Sequence, residues 1–367
     1  MPRSAVSHAL PDFPWDSLAA AKAKAESHPD GIVNLSVGTP VDPVAPLIRE
    51  ALASVSEVPG YPTTHGTPEL RAAAVGALAR RYGVTGLHPD AVLPALGTKE
   101  MIAWLPRLLG LGPDDLVVIP EVAYPTYEVG GLLAGCRVLR ADGMTRLGPE
   151  SPALIFVNSP SNPTGKVLGI DHLRKTVEFA RERGAIVVSD ECYLGLTWEA
   201  EGYSVLDPRV CDGDHTGLLA VHSLSKTSNL ASYRAGFVTG DPALVAELLE
   251  VRKHAGMIMP LPVQAAMTAA LSDDDHEDEQ RERYRMRREV LLGAVRDAGF
   301  TVDNSEAGLY LWATRGEPCR DTVDWFADRG ILVAPGDFYG PGSGQHVRIA
   351  LTGTDERIAA AAGRLQR

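Results

Sequence analysis

Lys226 stands just past an apolar run, in the stretch HSLSKTSNLASYRAG (222–236), ringed by serines, a threonine and an asparagine. A lysine that merely faces solvent needs no such company. An amine placed among hydroxyls at the end of a buried segment suits covalent chemistry with an aldehyde, which it holds as an imine. The same four letters, Ser223-Leu-Ser-Lys226, also spell S-x-x-K, a motif in which the serine is the nucleophile. Two chemistries therefore compete for one site.

Other chemistry-bearing residues come directly after other apolar runs. AVLPAL (91–96) leads into Gly97-Thr98-Lys99-Glu100, and LVVIP (116–120) into Tyr124-Pro-Thr-Tyr127. ALIFVN (153–158) opens the loop from Asn158 to Asn162-Pro-Thr-Gly165, and AIVVSD (185–190) ends at Asp190-Glu-Cys-Tyr193. Singly, each has an ordinary explanation. Gly97-Thr98 reads as a turn with Thr98 capping a helix, and Asn162-Pro-Thr-Gly165 as a turn. Asp190 caps the next helix, and Tyr124 and Tyr193 are rim or core aromatics.

Together they describe one ligand. A phosphate is met by helix amides, hydroxyls and an arginine, here Gly97, Thr98, Lys99, Ser223 and Arg234. A flat aromatic ring is met by Tyr124. A ring nitrogen that must stay protonated is met by the carboxylate of Asp190, a ring hydroxyl by Asn162 and Tyr193, and an aldehyde by Lys226. The ligand with all these parts is pyridoxal 5'-phosphate (PLP).

The elements that must position these residues are short β-rich runs alternating with helical patterns between about residues 90 and 240. To the runs above the sequence adds CRVLRA (136–141), LLAVHS (218–223) and AGFVTG (235–240), making seven. They are continuously apolar, as strands covered on both faces are. The expectation is an α/β fold with a mainly parallel seven-stranded sheet, whose ligand lies outside the carboxyl ends of the strands. After Asp241 the pattern changes. PALVAELLEVRKHAGM reads as a helix, and DDDHEDEQRERYRMRREVLLGAVRDAGF as a long one with an acidic start and a solvated charged face. The strands GLYLWAT and HVRIALT then flank a helix DTVDWFADRG. Residues 46–249 are expected to form the large domain. Residues 1–45 and 250–367 are expected to form a small α+β domain with an N-terminal arm and an interdomain helix.

A chain of 367 residues has room for both domains and a buried core. A formal charge of −12 argues against nucleic acid or an anionic membrane as partner. No apolar stretch is long enough to span a bilayer, and the N-terminus lacks a signal-peptide pattern. Cys136, Cys192, Cys211 and Cys319 lie far apart, as reduced thiols of a cytoplasmic protein do.

At these motifs the chain resembles the fold-type I, class I/II PLP aminotransferases. The resemblance runs through NLSVGTPVDP, GYPTTHGTPELR, LGTKE, YPTYE, NSPSNPTG, VVSDECY, HSLSKTSNLASYRAG and HVRIALT. The spacing agrees as well, with Tyr193 three residues after Asp190, Ser223 three before Lys226 and Arg234 eight after it. The resemblance implies catalytic roles for Lys226, Asp190 and Tyr193, with Lys226 bonded to the cofactor's aldehyde. It implies that Arg348 takes the substrate α-carboxylate, helped by Gly38 and Asn162, and that Asn162–Pro163 is cis. It also implies that Tyr61 reaches the phosphate of a neighbouring subunit in a homodimer acting on amino acids and ketoacids.

The S-x-x-K alternative fares poorly, because its partner motifs are missing and Ser223 ends a strand instead of opening a helix. A PLP-sensing transcription regulator would need a DNA-binding segment ahead of NLSVGTP. A carbon–sulfur β-lyase of the same fold uses the same PLP residues and stays open. A narrower likeness is to actinobacterial N-succinyldiaminopimelate aminotransferases of lysine biosynthesis, through LPDFPWDSL, AYPTYEVGGLLAG, VRKHAGMIMP and VAPGDFYGP. That likeness implies transfer between glutamate/2-oxoglutarate and N-succinyl-2-amino-6-ketopimelate/N-succinyl-LL-2,6-diaminopimelate, with Lys99, His65 or Arg252 as candidates for the rim that meets the substrate's distal anionic end.

Overall fold

The computed structural model describes residues 5–366; Met1–Ser4 of the expected N-terminal arm, and Arg367, lie outside the described residues. A short strand β1 (Val33–Asn34) precedes seven strands in chain order. These are β2 (Val92–Leu96), β3 (Leu116–Ile119), β4 (Arg137–Arg140), β5 (Leu154–Asn158), β6 (Ile186–Asp190), β7 (Leu218–Ser223) and β8 (Ala235–Gly240). Each falls on one of the seven apolar runs. They form one sheet in the order β2-β8-β7-β6-β5-β3-β4. All run parallel except β8, which is antiparallel to β2 and β7 on either side.

Edge strand β4 departs from the expected double cover, with Arg137 exposed and its other residues half-buried, but the continuous apolar character of the other strands has a direct cause. Side chains alternate between the two faces of a strand, and here each face has its own core. Val118, Val187 and Ala220 pack in the core on one face. Their neighbours Val117, Val188, Leu219 and Val221 pack in the core on the other. The chain steps outward from β3 to β4, then returns to the other side of β3 and proceeds through β5, β6 and β7. The order thus reverses between β3 and β5, where doubly wound sheets open a crevice for ligands.

The C-terminal region adds β9 (Thr301–Asp303), β10 (Tyr310–Thr314), β11 (Ile331–Leu332), β12 (Ala334–Pro335) and β13 (His346–Ala350). Four of them make an antiparallel sheet in the order β12-β13-β10-β9. Strand β1 pairs in parallel with β11 and so carries the N-terminal segment into this region, where Leu18, Val33 and Leu35 share a core with Leu311, Val323 and Ile349. The helix Leu261–Leu271 lies beyond residue 249 but packs with the large sheet, through Ala266, Met267 and Ala270 against Leu70, Val92 and Phe237.

The long charged run forms the helix Asp275–Asp297 with the expected solvated face, on which Asp278, Glu279, Arg281, Glu282, Arg285 and Glu289 are exposed, but three of its charges turn inward. Glu277, Arg287 and Arg288 are buried. Arg287 makes a two-pronged ion pair with Asp42, both bonds 2.7 Å, and a third bond to Asp355. Arg288 binds Glu199 and the Ser305 carbonyl, and Glu277 pairs with Arg81. The helix packs on the C-terminal core through Tyr284, Leu291 and Val295, and its buried charges are matched by partners far away in sequence. The four cysteines are free and buried. Among the described residues, no helix is long and apolar enough to cross a membrane.

Candidate active site

The carboxyl ends of β5, β6 and β7 bring Asn158, Asp190 and Ser223 to one edge of the sheet. Asp190 is buried. The Tyr127 hydroxyl donates to its Oδ2 at 2.7 Å, and the Cys192 backbone N–H donates to Oδ1 at 3.2 Å. Burial pushes this carboxyl above its ordinary range, while those donors pull it back. Among the described residues, no lysine or arginine forms an ion pair with it. A buried carboxylate in that state calls for a cation from outside the chain.

Lys226 lies in the turn after β7, half-buried, with Nζ donating to the Gly38 carbonyl. Burial lowers its basicity, and the nearby positive charges of Arg348 and Arg234 add to the effect. A Cβ on Gly38 would run into the Tyr310 ring, so the backbone can pass this close only as glycine. The Tyr310 hydroxyl lies 3.2 Å from that of Tyr193. Tyr124, on the loop after β3, sits edge-on to Tyr127 with ring centres 5.8 Å apart, and burial pushes its phenol up to about 12.

At one end of this site an uncapped helix start lies beside an arginine. The helix Thr98–Leu108 starts at Gly97, whose φ of 83° suits glycine, and no side chain caps it. Thr98 is the first helical residue and not the cap expected from sequence; its Oγ1 accepts from the Cys192 thiol at 3.4 Å. The first-turn amides are therefore left without the side-chain oxygen that usually satisfies them. The Arg234 guanidinium lies where a Cβ on Gly97 would be. Ser223 pairs in register with Gly236, which touches Thr98, so Gly97, Thr98, Ser223 and Arg234 gather at one place. Lys99 contributes its first-turn amide to that place, but its side chain does not join the others. It is exposed, with its ammonium 5.5 Å from the centre of the Phe13 ring.

The other end holds a buried cation. Arg348, on β13, is buried; Nη1 donates to Asn162 Oδ1 at 2.9 Å and Nη2 to the Ser36 carbonyl at 2.6 Å. Its guanidinium lies 4.0 Å from the Tyr310 ring centre and 5.1 Å from that of Tyr339. Nε has no partner, and among the described residues no carboxylate pairs with this cation. The Asn162 backbone N–H is tied to Asn158 Oδ1 at 2.7 Å, and Asn162–Pro163 is cis, as is Ser159–Pro160. Tyr61 is fully exposed and takes no part in this chain's own site.

Sequence reasoning missed the supporting layer: Tyr127, Asn158, Cys192, Ser36 and Tyr310. Tyr127 and Asn158 stand in the motifs already quoted, so their positions were visible but their hydrogen bonds were not. Of the rim candidates, Arg252 is corrected. It has no exposed surface and pairs with Glu100, so it cannot meet a substrate. His65 bonds the Asp90 carbonyl at 3.1 Å.

The chain matches the family "Aminotransferase class I and II" over residues 30–365. It belongs to that family. Among its relatives, a probable aminotransferase of Mycobacterium tuberculosis is 73% identical over 99% of this chain and 87% of the relative. A 4-dedimethylamino-4-oxo-anhydrotetracycline transaminase of Streptomyces rimosus is 58% identical over 97% of this chain and 99% of its own length. Among solved structures, a probable N-succinyldiaminopimelate aminotransferase of Thermus thermophilus superposes with a TM-score of 0.86 at 29% identity, covering 96% of this chain and 99% of that one.

Aminotransferases of this family have the fold-type I architecture and use PLP. The residues present fit that cofactor. An uncapped helix start beside an arginine suits its phosphate, the buried carboxylate of Asp190 suits a protonated ring nitrogen, and the Lys226 amine suits its aldehyde. In this aminotransferase these groups meet at the strand ends, with the guanidinium of Arg348 bonded to Asn162.

Proposed function

We propose that this aminotransferase moves an amino group between glutamate/2-oxoglutarate and N-succinyl-2-amino-6-ketopimelate/N-succinyl-LL-2,6-diaminopimelate. The observation that carries the assignment of roles is the meeting, at one sheet edge, of a burial-weakened lysine amine with a buried carboxylate that no basic side chain neutralises.

Bound at this site, PLP supplies the aldehyde that takes up the amino group and the protonated ring that accepts the electron pair left by the departing α-proton. Asp190 keeps its charge next to the ring nitrogen and holds the proton there. Asn162 accepts Arg348 on Oδ1, which leaves its Nδ2 free to donate to the ring oxygen together with the Tyr193 hydroxyl. Tyr124 covers one face of the ring. Gly97, Thr98, Ser223 and Arg234 hold the phosphate. Arg348 grips the α-carboxylate and so fixes which bond faces Lys226. The Lys226 Nζ, less basic than a surface amine, removes the α-proton and returns it, a positioned transfer that contributes on the order of 10²–10⁴-fold in rate. Tyr61, wholly exposed on its own chain, completes the phosphate seat of a second subunit in a homodimer.

The substrate rests on other support. A diaminopimelate derivative carries a second anionic end, which Lys99 beside the site can meet, and the Thermus thermophilus structure bears the matching name. A second reading has its own observation: the Streptomyces rimosus relative, at 58% identity, is named for amination of a tetracycline-type ketone. The deciding measurement is kcat/KM for N-succinyl-diaminopimelate with 2-oxoglutarate, set beside N-acetylornithine, aspartate, aromatic amino acids, a cyclic ketone acceptor with glutamate, and cystathionine. The succinylated substrate should lead; if another amino acid or ketone beats it, the proposed substrate falls. Keto-acid-independent elimination from cystathionine would favour the lyase.

A further inference from the structure

The helix that offers its N-terminus to the phosphate carries a carboxylate, Glu100, in its first turn. At an ordinary helix start that charge is favourable. At one that must receive a phosphate dianion it is a competitor, since it satisfies the same positive end and repels the ligand. Glu100, however, is already engaged. Arg252 Nη1 lies 3.1 Å from its Oε1 and 3.4 Å from its Oε2.

Arg252 is an odd residue to find there. It sits in the helix Pro242–Ala255 with no exposed surface, beside the apolar side chains of Val245, Leu248 and Leu249. Among the described residues its only carboxylate partner is Glu100. Its other contacts are the Met257 sulfur at 3.6 Å and carbonyl at 3.5 Å, and its Nε has no partner. A fully buried guanidinium with one incomplete partner is a poor way to stabilise a fold. It is a good way to hold one carboxylate.

We infer that Arg252 is a positioning residue for the cofactor phosphate. It draws the Glu100 carboxylate to itself and cancels its charge, so that the helix start at Gly97–Thr98 keeps its preference for an anion. This rests on the reading of that helix start as the phosphate seat. It makes Glu100 and Arg252 opposite in sign: removing the arginine exposes the repelling charge, and removing the glutamate leaves an extra cation.

The test is a titration of cofactor-free protein with PLP and, separately, with pyridoxal, which lacks the phosphate. Wild type should bind PLP well ahead of pyridoxal. Arg252→Met should weaken PLP by roughly tenfold, the order of effect of one uncompensated charge under partial screening, with pyridoxal unmoved. Glu100→Gln should tighten PLP by about threefold on the same reasoning, and the double variant should return close to wild type. A purely structural role predicts that both single changes weaken both ligands alike, and that result overturns the inference. Should Arg252→Met fail to fold, Glu100→Gln still decides by the direction of its shift. A wild type that binds PLP no better than pyridoxal would remove the phosphate seat itself, whereas a clear wild-type preference with unmoved variants removes only the role of Arg252.

Discussion

Tyr127→Phe removes one hydroxyl and almost nothing else. The Tyr127 ring is fully buried and stacks on Phe156, with centres 4.9 Å apart and planes 18° from parallel, and phenylalanine keeps that stack. What goes is the 2.7 Å bond to Asp190 Oδ2, leaving the Cys192 N–H at 3.2 Å on the other oxygen. A hydrogen bond to a charged group contributes about 1.5–3 kcal/mol, which corresponds to roughly one to two pKa units. The sign is fixed by burial, which already pushes Asp190 upward. With a donor gone the carboxyl rises further, and the carboxylate is lost at higher pH. The acid limb of kcat/KM for the glutamate half-reaction should therefore move to higher pH by about one unit or more. The basic limb should stay where it is. The assay follows this half-reaction from about pH 5 to about pH 9, with PLP saturation checked at each point. Superimposable acid limbs in a folded, PLP-loaded variant would mean that Tyr127 does not tune Asp190.

Gly97→Ala places a methyl group against Arg234 at a backbone angle that alanine disfavours. PLP affinity of the cofactor-free protein should drop by tenfold or more, from a strain of order 1–3 kcal/mol; an unchanged titration curve would take Gly97 out of the seat. Glu191 is buried 3.4 Å from His222, and burial raises it from 4.5 to about 7 while lowering His222 to about 3. The folded chain thus holds the Glu191 proton more tightly than the unfolded chain. That contribution is complete below pH 4.5 and fades as pH climbs through 7. Relative to Glu191→Gln, wild type should lose up to about 3 kcal/mol across that window, and parallel stability curves from thermal melts would refute it. Finally, mixing Lys226→Ala chains with Tyr61→Ala chains should restore some activity through hybrid dimers with one intact site. No recovery, once hybrids are demonstrated, would count against a Tyr61 that crosses between subunits.

The seven strands and the polar residues at their ends were legible in the sequence alone, because both come from local rules. A strand buried on both faces has to be apolar at every position, as at Val187 and Val188, and the turn after it is free to carry Asp190, Ser223 or Lys226. Family motifs then attached roles to those positions. Tertiary structure decided what each charge and hydroxyl faces. Arg252, Arg287 and Arg288 look alike in the sequence, as cations on amphipathic helices. Folding buries all three, and they differ in their partners: Glu100 for the first, Asp42 and Asp355 for the second, Glu199 and the Ser305 carbonyl for the third. Arg348 meets the Ser36 carbonyl across 312 positions of sequence, and Tyr127 meets Asp190 across 63. Thr98 lost its expected capping role to the backbone geometry of Gly97. Local sequence sets which segments are apolar and where the chain turns. Whether a charged group ends in water, in a buried pair or against a ligand depends on contacts between segments far apart in the chain, and those exist only once the two cores have packed.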